Sequence, residues 1–357
     1  MSTLRVTAEQ LTVHEHPNAD ALELAQVGLY RAVVAKGAYR TGDFAVYIPE
    51  QAVLPDTLTA ELGLTGRLAG GAANRVKAVR LRGELSQGLV CRPAALRGVD
   101  LEAAAKEGAD FTEALGITKW APPIPTTMNG DVESAPDLLP WVDIENLRRH
   151  PQIFEPGEPV VLTEKLHGTA CLVTYIAGEG RVLVSSKGFG SKGLALKEDD
   201  RNLYWRAVRG HRVPQAAARL AERLGASRIG LFGEVYGSGV QDLAYGTDAR
   251  TADGPPGYAV FDVSAEIEGQ VRWLDPADLL AGELPLVPRL YEGPYDLDAV
   301  LEAATGRESV SGRAAHLREG VVIRPATERY SPVVGGRAIA KAISPAYLTR
   351  KGGTEYE

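Results

Sequence analysis

One short stretch limits what this 357-residue chain can be. It runs Val160-Val161-Leu162-Thr163-Glu164-Lys165-Leu166-His167-Gly168-Thr169. The apolar run Val160 to Leu162 reads as a buried strand. A lysine follows it closely, and a glycine sits three residues further on. An amine is a nucleophile only after it has lost its proton. A lysine at a strand end, partly desolvated and near other cations, is expected to have its pKa lowered enough for that. Gly168 is expected to let the backbone turn sharply and approach a phosphate. The same letters also describe an ordinary strand and turn with a surface lysine, and only the downstream sequence separates the two.

Downstream the pattern is α+β. Val182 to Ser185 reads as a strand that enters the glycine-rich turn Ser185-Ser186-Lys187-Gly188-Phe189-Gly190. Pro214 to Leu224 has a helical period, with Ala217, Leu220, Ala221 and Leu224 on one side and arginines opposite. Ile229 to Phe232 is a strand leading into Gly233-Glu234, and Tyr258 to Val263 another, containing Phe261-Asp262. Pro276 to Leu280 and Asp296 to Ala304 read as helices, Val321 to Ile323 and Ala338 to Ser344 as strands. Lys165, Lys187, Glu234, Phe261, Glu319 and Lys341 thus form an ordered series beside strands, with Gly188, Gly233 and Gly320 adjacent.

Residues 1 to 98 read differently. Short strands at Leu22 to Val27, Tyr30 to Ala35, Phe44 to Pro49, Val76 to Leu81 and Gly88 to Cys91 are separated by Gly and Asp turns. That spacing suggests a small barrel of OB type, a fold that offers a strand face to oligonucleotides. The chain carries a net charge of −7, which argues against a protein coated for nucleic acid. Yet between Arg67 and Arg97 seven basic residues face Glu84 alone. Such a stripe, which includes Lys77, Arg80 and Arg82, is either a solvated surface or a local phosphate footprint. Residues 99 to 158 read as a connector, with an alanine-rich helix at Leu101 to Lys106, five prolines between 122 and 140, and a second helix at Asp143 to Arg149.

Two resemblances enter on these residues. His16-Pro17-Asn18-Ala19-Asp20-Ala21-Leu22, Val33 to Gly37 and Gly83-Glu84-Leu85-Ser86-Gln87-Gly88 resemble the tRNA-binding OB module appended to some synthetases. The series from Lys165 to Lys341 resembles the covalent nucleotidyltransferase superfamily of polynucleotide ligases and mRNA capping enzymes. Glu164-Lys165-Leu166-His167-Gly168-Thr169 is similar to RNA ligases within it, and with the OB-like front end the chain looks like the Deinococcus-type RNA ligase family. The resemblance implies an N-terminal OB-like β-barrel (1–98), a connector (99–158) and an ATP-grasp-like adenylyltransferase domain of antiparallel sheets and helices (159–357).

It also implies an activity: ATP-dependent joining of 3′-OH and 5′-phosphate ends, at nicks in duplex RNA or RNA/DNA hybrids whose 3′-OH strand is RNA. Lys165 would carry AMP. Lys341 and Lys187 would face phosphate oxygens, and Glu319 would hold Mg²⁺ or Mn²⁺. Glu234 would bind a ribose hydroxyl and Phe261 stack on adenine. Glu164 would read the adenine amino edge, with Leu162 and Gly168 beside the nucleotide. Phe261 could equally be plain core, and Glu234 and Glu319 surface carboxylates at strand ends. Arg318 and Arg324, flanking Glu319, are expected in ion pairs. The chain departs from the family pattern in three places: Ala170 where relatives often have asparagine, Gly188 where some have arginine, and the last motif, where a K-x-K pair is common and Lys341 stands between Ile339 and Ile343, so that it could represent either lysine.

DNA ligases and capping enzymes typically carry their OB domain after the last motif, and the sixteen residues after Lys341 are too few for one. A non-catalytic RNA-binding protein is the other alternative, against which the retained lysines and carboxylates speak. Cys91 and Cys171 fit no metal or disulfide pattern. No apolar run of membrane-spanning length and no signal peptide are present, so a cytoplasmic protein with no obligate protein partner is expected.

Overall fold

Unbroken apolar runs in the first part of the chain become strands covered on both faces. The computed structural model describes residues 3–250 and 254–355. It divides into two compact units, Met1–Ala121 and Pro122–Glu357. In the first, Phe44–Ile48 pairs antiparallel with Thr7–Gln10 and Leu89–Cys91. Its Val46 and Ile48 enter one apolar cluster and its Ala45 and Tyr47 another, so the strand lacks polar alternates. Thr12–Glu15, Leu22–Val27 and Tyr30–Ala35 form a second antiparallel sheet. The strand set expected of an OB-like barrel is therefore present.

The basic stripe surfaces here as the hairpin Val79–Leu81 with Glu84–Ser86. Arg80 and Arg82 are exposed, Lys77 is half-buried, and Val79 and Leu81 project as well. The His16-Pro17-Asn18 turn braces it. His16 is buried, its Nε2 lies 3.1 Å from the Leu81 carbonyl, and Asn18 Nδ2 donates to the Arg82 carbonyl at 3.0 Å.

Residues 99–158, read as a connector, are shared between the units. Asp100 caps the helix Leu101–Glu107 by accepting from the Glu102 and Ala103 amides, and Phe111, Leu115 and Ile117 join the first unit's core. Beyond residue 122, Val132–Ser134 and Glu145–Asn146 add strands to the two sheets of the second unit. The helix expected at Asp143 to Arg149 does not form. The open edge of strand Ala340–Ile343 takes that backbone instead, Leu147 donating to the Lys341 carbonyl at 2.8 Å. Tertiary pairing here overrides local propensity.

The second unit holds a seven-stranded antiparallel sheet in the order Val132–Ser134, Leu194–Leu196, Arg181–Ser186, Thr169–Ile176, Arg228–Tyr236, Gly257–Ile267, Gln270–Leu274. Helices Leu203–Gly210 and Val213–Leu224 cover one face, burying Tyr204, Val208, Ala217 and Leu220 against Val173, Leu231 and Val263. Each large aliphatic side chain so buried contributes about 1.5–3 kcal/mol. A five-stranded sheet runs Glu145–Asn146, Ala340–Ile343, Gly320–Pro325, Pro159–Lys165, Arg289–Pro294, with the first pair parallel and the others antiparallel. Among the described residues no helix is long and apolar enough to cross a membrane.

Candidate active site

The strand register of the five-stranded sheet puts three charged residues of the series together. Lys165 pairs with Gly320, while Thr163 pairs with Val322 and Val322 with Lys341. Cross-strand partners share a face, so Lys165 and Lys341 project from the same side. Glu319 stands one residue before Gly320, and its Oε1 lies 2.8 Å from Lys165 Nζ. Two glycines permit this closeness, though neither does so through an unusual backbone angle. A methyl group at Gly168 would lie 2.1 Å from the Val235 carbonyl oxygen, and one at Gly320 would lie 2.1 Å from that of Ala342. At Gly168 the missing side chain admits the backbone of Val235, which follows Glu234 and pairs with Thr169.

Charge in this cluster is incompletely cancelled. Burial pushes the Lys165 pKa down, but Glu319 and then Glu234 push harder, and the net shift is upward. The expectation of a lowered lysine fails here for Lys165, because two carboxylates outweigh burial. It holds for Lys341, whose pKa falls to about 8 through burial and the ammonium groups of Lys165 and Lys187. Glu234 rises to about 8, first through burial and also through Glu319, with Lys165 opposing. Oε2 of Glu319 is buried without a hydrogen-bond partner.

Glu164, one residue before the lysine, turns to other partners. Its Oε2 accepts from the Ser309 amide at 2.9 Å and the Ser309 hydroxyl at 2.5 Å, with Arg318 3.8 Å away. Its Oε1 is buried and unpartnered, and burial raises its pKa. Leu162 goes to the core with Val160, Val321, Ile323 and Ala340, on the face away from Lys165. Arg324 pairs with Asp275 at 2.9 Å, in keeping with its expected ion pair.

Lys187 opens a one-turn helix capped by Ser186, where the sequence suggested only a turn. Its Nζ is 2.6 Å from Asp143 and 5.7 Å from the Trp141 ring centre. Trp141 meets Phe261 edge-on at 5.8 Å, and both border a small cavity of about 10 Å³ with Phe232, Trp273, Ile339, Asp262 and Arg337. Phe261 is half-buried. Trp141, Asp143 and Ser309 went unnoticed in the sequence. Trp141 and Asp143 sit in a proline-rich stretch without periodicity, and no local spacing links Ser309 to Glu164.

The arrangement offers an amine beside a carboxylate with a free oxygen, two further ammonium groups, and an aromatic cavity. Three cations in a partly buried site suit a polyphosphate. Among the described residues no three His, Cys, Asp or Glu side chains are grouped to hold a metal. A hard divalent ion fits through Glu319 Oε2 alone, completing its shell with phosphate and water oxygens as Mg²⁺ commonly does.

A family model described as RNA ligase matches residues 158–343, just over half of the chain. A second, described as an OB-fold domain, matches residues 5–93. Among solved structures, a Naegleria gruberi RNA ligase variant without ligand is 24% identical, with 98% of each chain covered and a TM-score of 0.76. A variant of the same ligase with ATP and Mn is 25% identical over 96% of this chain and 98% of that one, with a TM-score of 0.74. The same ligase with PPi is 25% identical over 97% and 98%, with a TM-score of 0.74. No curated protein matches.

Proposed function

The chain belongs to the RNA ligase family, and on that premise we propose that it is an ATP-dependent RNA ligase that works through a lysyl-AMP intermediate. The observation that carries this reading is Lys165 Nζ held 2.8 Å from Glu319 in a cluster with Lys341, Lys187 and Glu234. Likeness to a ligase solved with ATP and Mn, and with PPi, supports ATP as the nucleotide.

In this reading the Lys165 ammonium first loses a proton. The amine attacks the α-phosphorus of ATP, a nitrogen–phosphorus bond forms, and the bond to pyrophosphate breaks. Lys341 and Lys187 face the phosphate oxygens as charge develops there. Glu234, neutral near pH 7, can donate or accept a hydrogen bond at the ribose. Glu164 Oε1, an acceptor without a partner, suits the adenine amino group, and Phe261 and Trp141 supply stacking surfaces. Glu319 would hold the divalent ion, which when bound supplies positive charge to the phosphates and competes with Lys165 for the carboxylate. A 5′-phosphate oxygen of the RNA then takes the AMP and frees the lysine. Finally a 3′-OH attacks that activated phosphate and AMP leaves. We assign nick sealing with an RNA 3′-OH strand, and duplex contact by Arg80 and Arg82 on the braced hairpin and Lys77 just before it.

The test uses ATP labelled at the α- or γ-phosphate. Label from the α-position only should become attached to the protein through a bond that survives alkali and is cleaved by acid, as a phosphoramidate is, and Lys165→Ala should take up none. The same variant should still seal a pre-adenylated nick slowly, since that step bypasses the lysine. Charge reversal at Arg80 and Arg82 should leave the adduct intact and flatten the salt dependence of duplex binding. Adduct formation by Lys165→Ala removes the lysine from its role. Labelling by GTP instead of ATP, or sealing only on DNA 3′-OH ends, moves the protein to a different reaction.

A further inference from the structure

The turn that follows Lys165 is gripped from two segments outside the known series. Its backbone is tied at two points: the His167 amide donates to the Tyr245 hydroxyl at 2.7 Å, and Gln241 Nε2 donates to the Gly168 carbonyl at 3.0 Å. Its side chain is tied at two more. His167 is buried, with Nε2 2.7 Å from Asp242 Oδ1 and Nδ1 2.7 Å from the Tyr347 hydroxyl. Arg350 Nη2 also lies 3.1 Å from Nε2, so both ring nitrogens are held.

Residues 345–355 lock the grip. Arg350 forks onto both oxygens of Asp242 at 2.8 and 2.9 Å and lies 3.7 Å from the centre of the Tyr347 ring. Thr354 donates its amide to Asp242 at 2.8 Å and its hydroxyl to Gln241 Oε1 at 2.8 Å. The His167 and Tyr347 rings meet edge-on at 5.2 Å. Nδ1 of His167 is also 3.9 Å from the free Oε2 of Glu319. The network therefore ends at the carboxylate beside the amine.

We propose that Tyr347, Asp242 and Arg350 are positioning residues of adenylation, which hold His167 and thereby the turn that aims Lys165. This rests on Lys165 being the nucleophile. An amine displaced by about 1 Å from its line of attack can lose about 100-fold in rate.

Tyr347→Phe in the full chain tests it, because the ring and its packing survive and one hydroxyl is lost. Single-turnover adduct formation at saturating ATP should fall about 10- to 100-fold, with KM for ATP within about twofold. Sealing of a pre-adenylated nick should fall much less, because Lys165 is not used there. Arg350→Ala should show the same split, and Arg350→Lys should restore part of the rate. Equal loss in both reactions, or loss that tracks a lower unfolding temperature, would make these residues merely structural and overturn the proposal. So would a wild-type adduct rate in Tyr347→Phe. An adduct formed by Lys165→Ala would instead bring down the reading beneath it, so the two failures are distinct.

Discussion

Two buried ionic clusters in the second unit treat their charges in opposite ways. Around Asp262, Arg337 Nη1 sits 2.5 Å from Oδ2, the Val263 amide donates to Oδ1 at 3.1 Å, and Arg324 approaches within 4.0 Å. Arg337 turns its other nitrogen to Glu328 at 2.7 Å and stacks on Trp273, while Arg324 binds Asp275. None of the buried polar atoms without a partner belongs to Asp262, Arg324 or Arg337. Around Lys165 the reverse holds: Glu319 keeps one buried oxygen unpartnered, and Glu234 and Lys341 titrate near 8 from opposite sides of their ordinary values. A structural cluster is closed by its own side chains. The cluster proposed as catalytic is left incomplete, at a cost in stability, where a substrate's phosphates and a cation would complete it.

The sharpest way to break that contrast is at the carboxylates. Glu319→Gln should reduce adduct formation by about 100-fold or more, with little change in unfolding temperature. The same change removes a negative charge from Lys165 and so lowers its pKa. Amine-directed labelling of Lys165 at fixed pH should accordingly speed up while adenylation collapses. Should both fall together, Glu319 is acting on folding and not on the reaction. Asp262→Asn should do the opposite, destabilising the fold by about 1–3 kcal/mol because buried Arg337 loses one of its two carboxylate acceptors and keeps Glu328. Urea unfolding would read that loss, and the folded fraction should lose far less adduct formation than Glu319→Gln does. An Asp262→Asn protein of wild-type stability would dissolve the distinction between the clusters.

That Lys165, Glu234, Glu319 and Lys341 would cluster was legible in the sequence, for a physical reason. Lys165, Glu234, Glu319 and Lys341 sit at or beside strands, where apolar runs and glycines fix their place in the chain, and antiparallel pairing then fixes which meet. Two things escaped. The sign of the Lys165 shift depends on which charges lie nearest, and that is a matter of distances, with Glu319 at 2.8 Å deciding it. The supporting residues Trp141, Ser309, Tyr347 and Arg350 act across 46, 145, 180 and 183 positions respectively, and no local period encodes such contacts. The stretch 122–158 misled for a related reason. Its prolines read as a connector, yet Val132–Ser134 and Glu145–Asn146 complete sheet edges whose hydrogen bonds only the fold supplies.

The smallest expected effect is also the most diagnostic of an incomplete cluster, because it appears in pH dependence alone. Glu234 has a folded pKa of about 8 against an ordinary 4.5, chiefly through burial. Between those values the folded protein holds a proton that the unfolded chain has released, so stability must fall as pH rises from about 4.5 to about 8. Lys341 titrates at about 8 in the fold against 10.5, again chiefly through burial. From about 8 to about 10.5 the unfolded chain holds the extra proton, and stability recovers. The two groups together place a trough near pH 8, where both are least favourably disposed. Urea unfolding at pH 5 and pH 8 should show wild type losing on the order of 1–3 kcal/mol more than Glu234→Gln, whose amide does not titrate. The upward limb should vanish in Lys341→Met. If wild type and Glu234→Gln lose stability in parallel over that range, the carboxyl is already satisfied in the fold, and the Lys165 cluster is as closed as the one around Asp262.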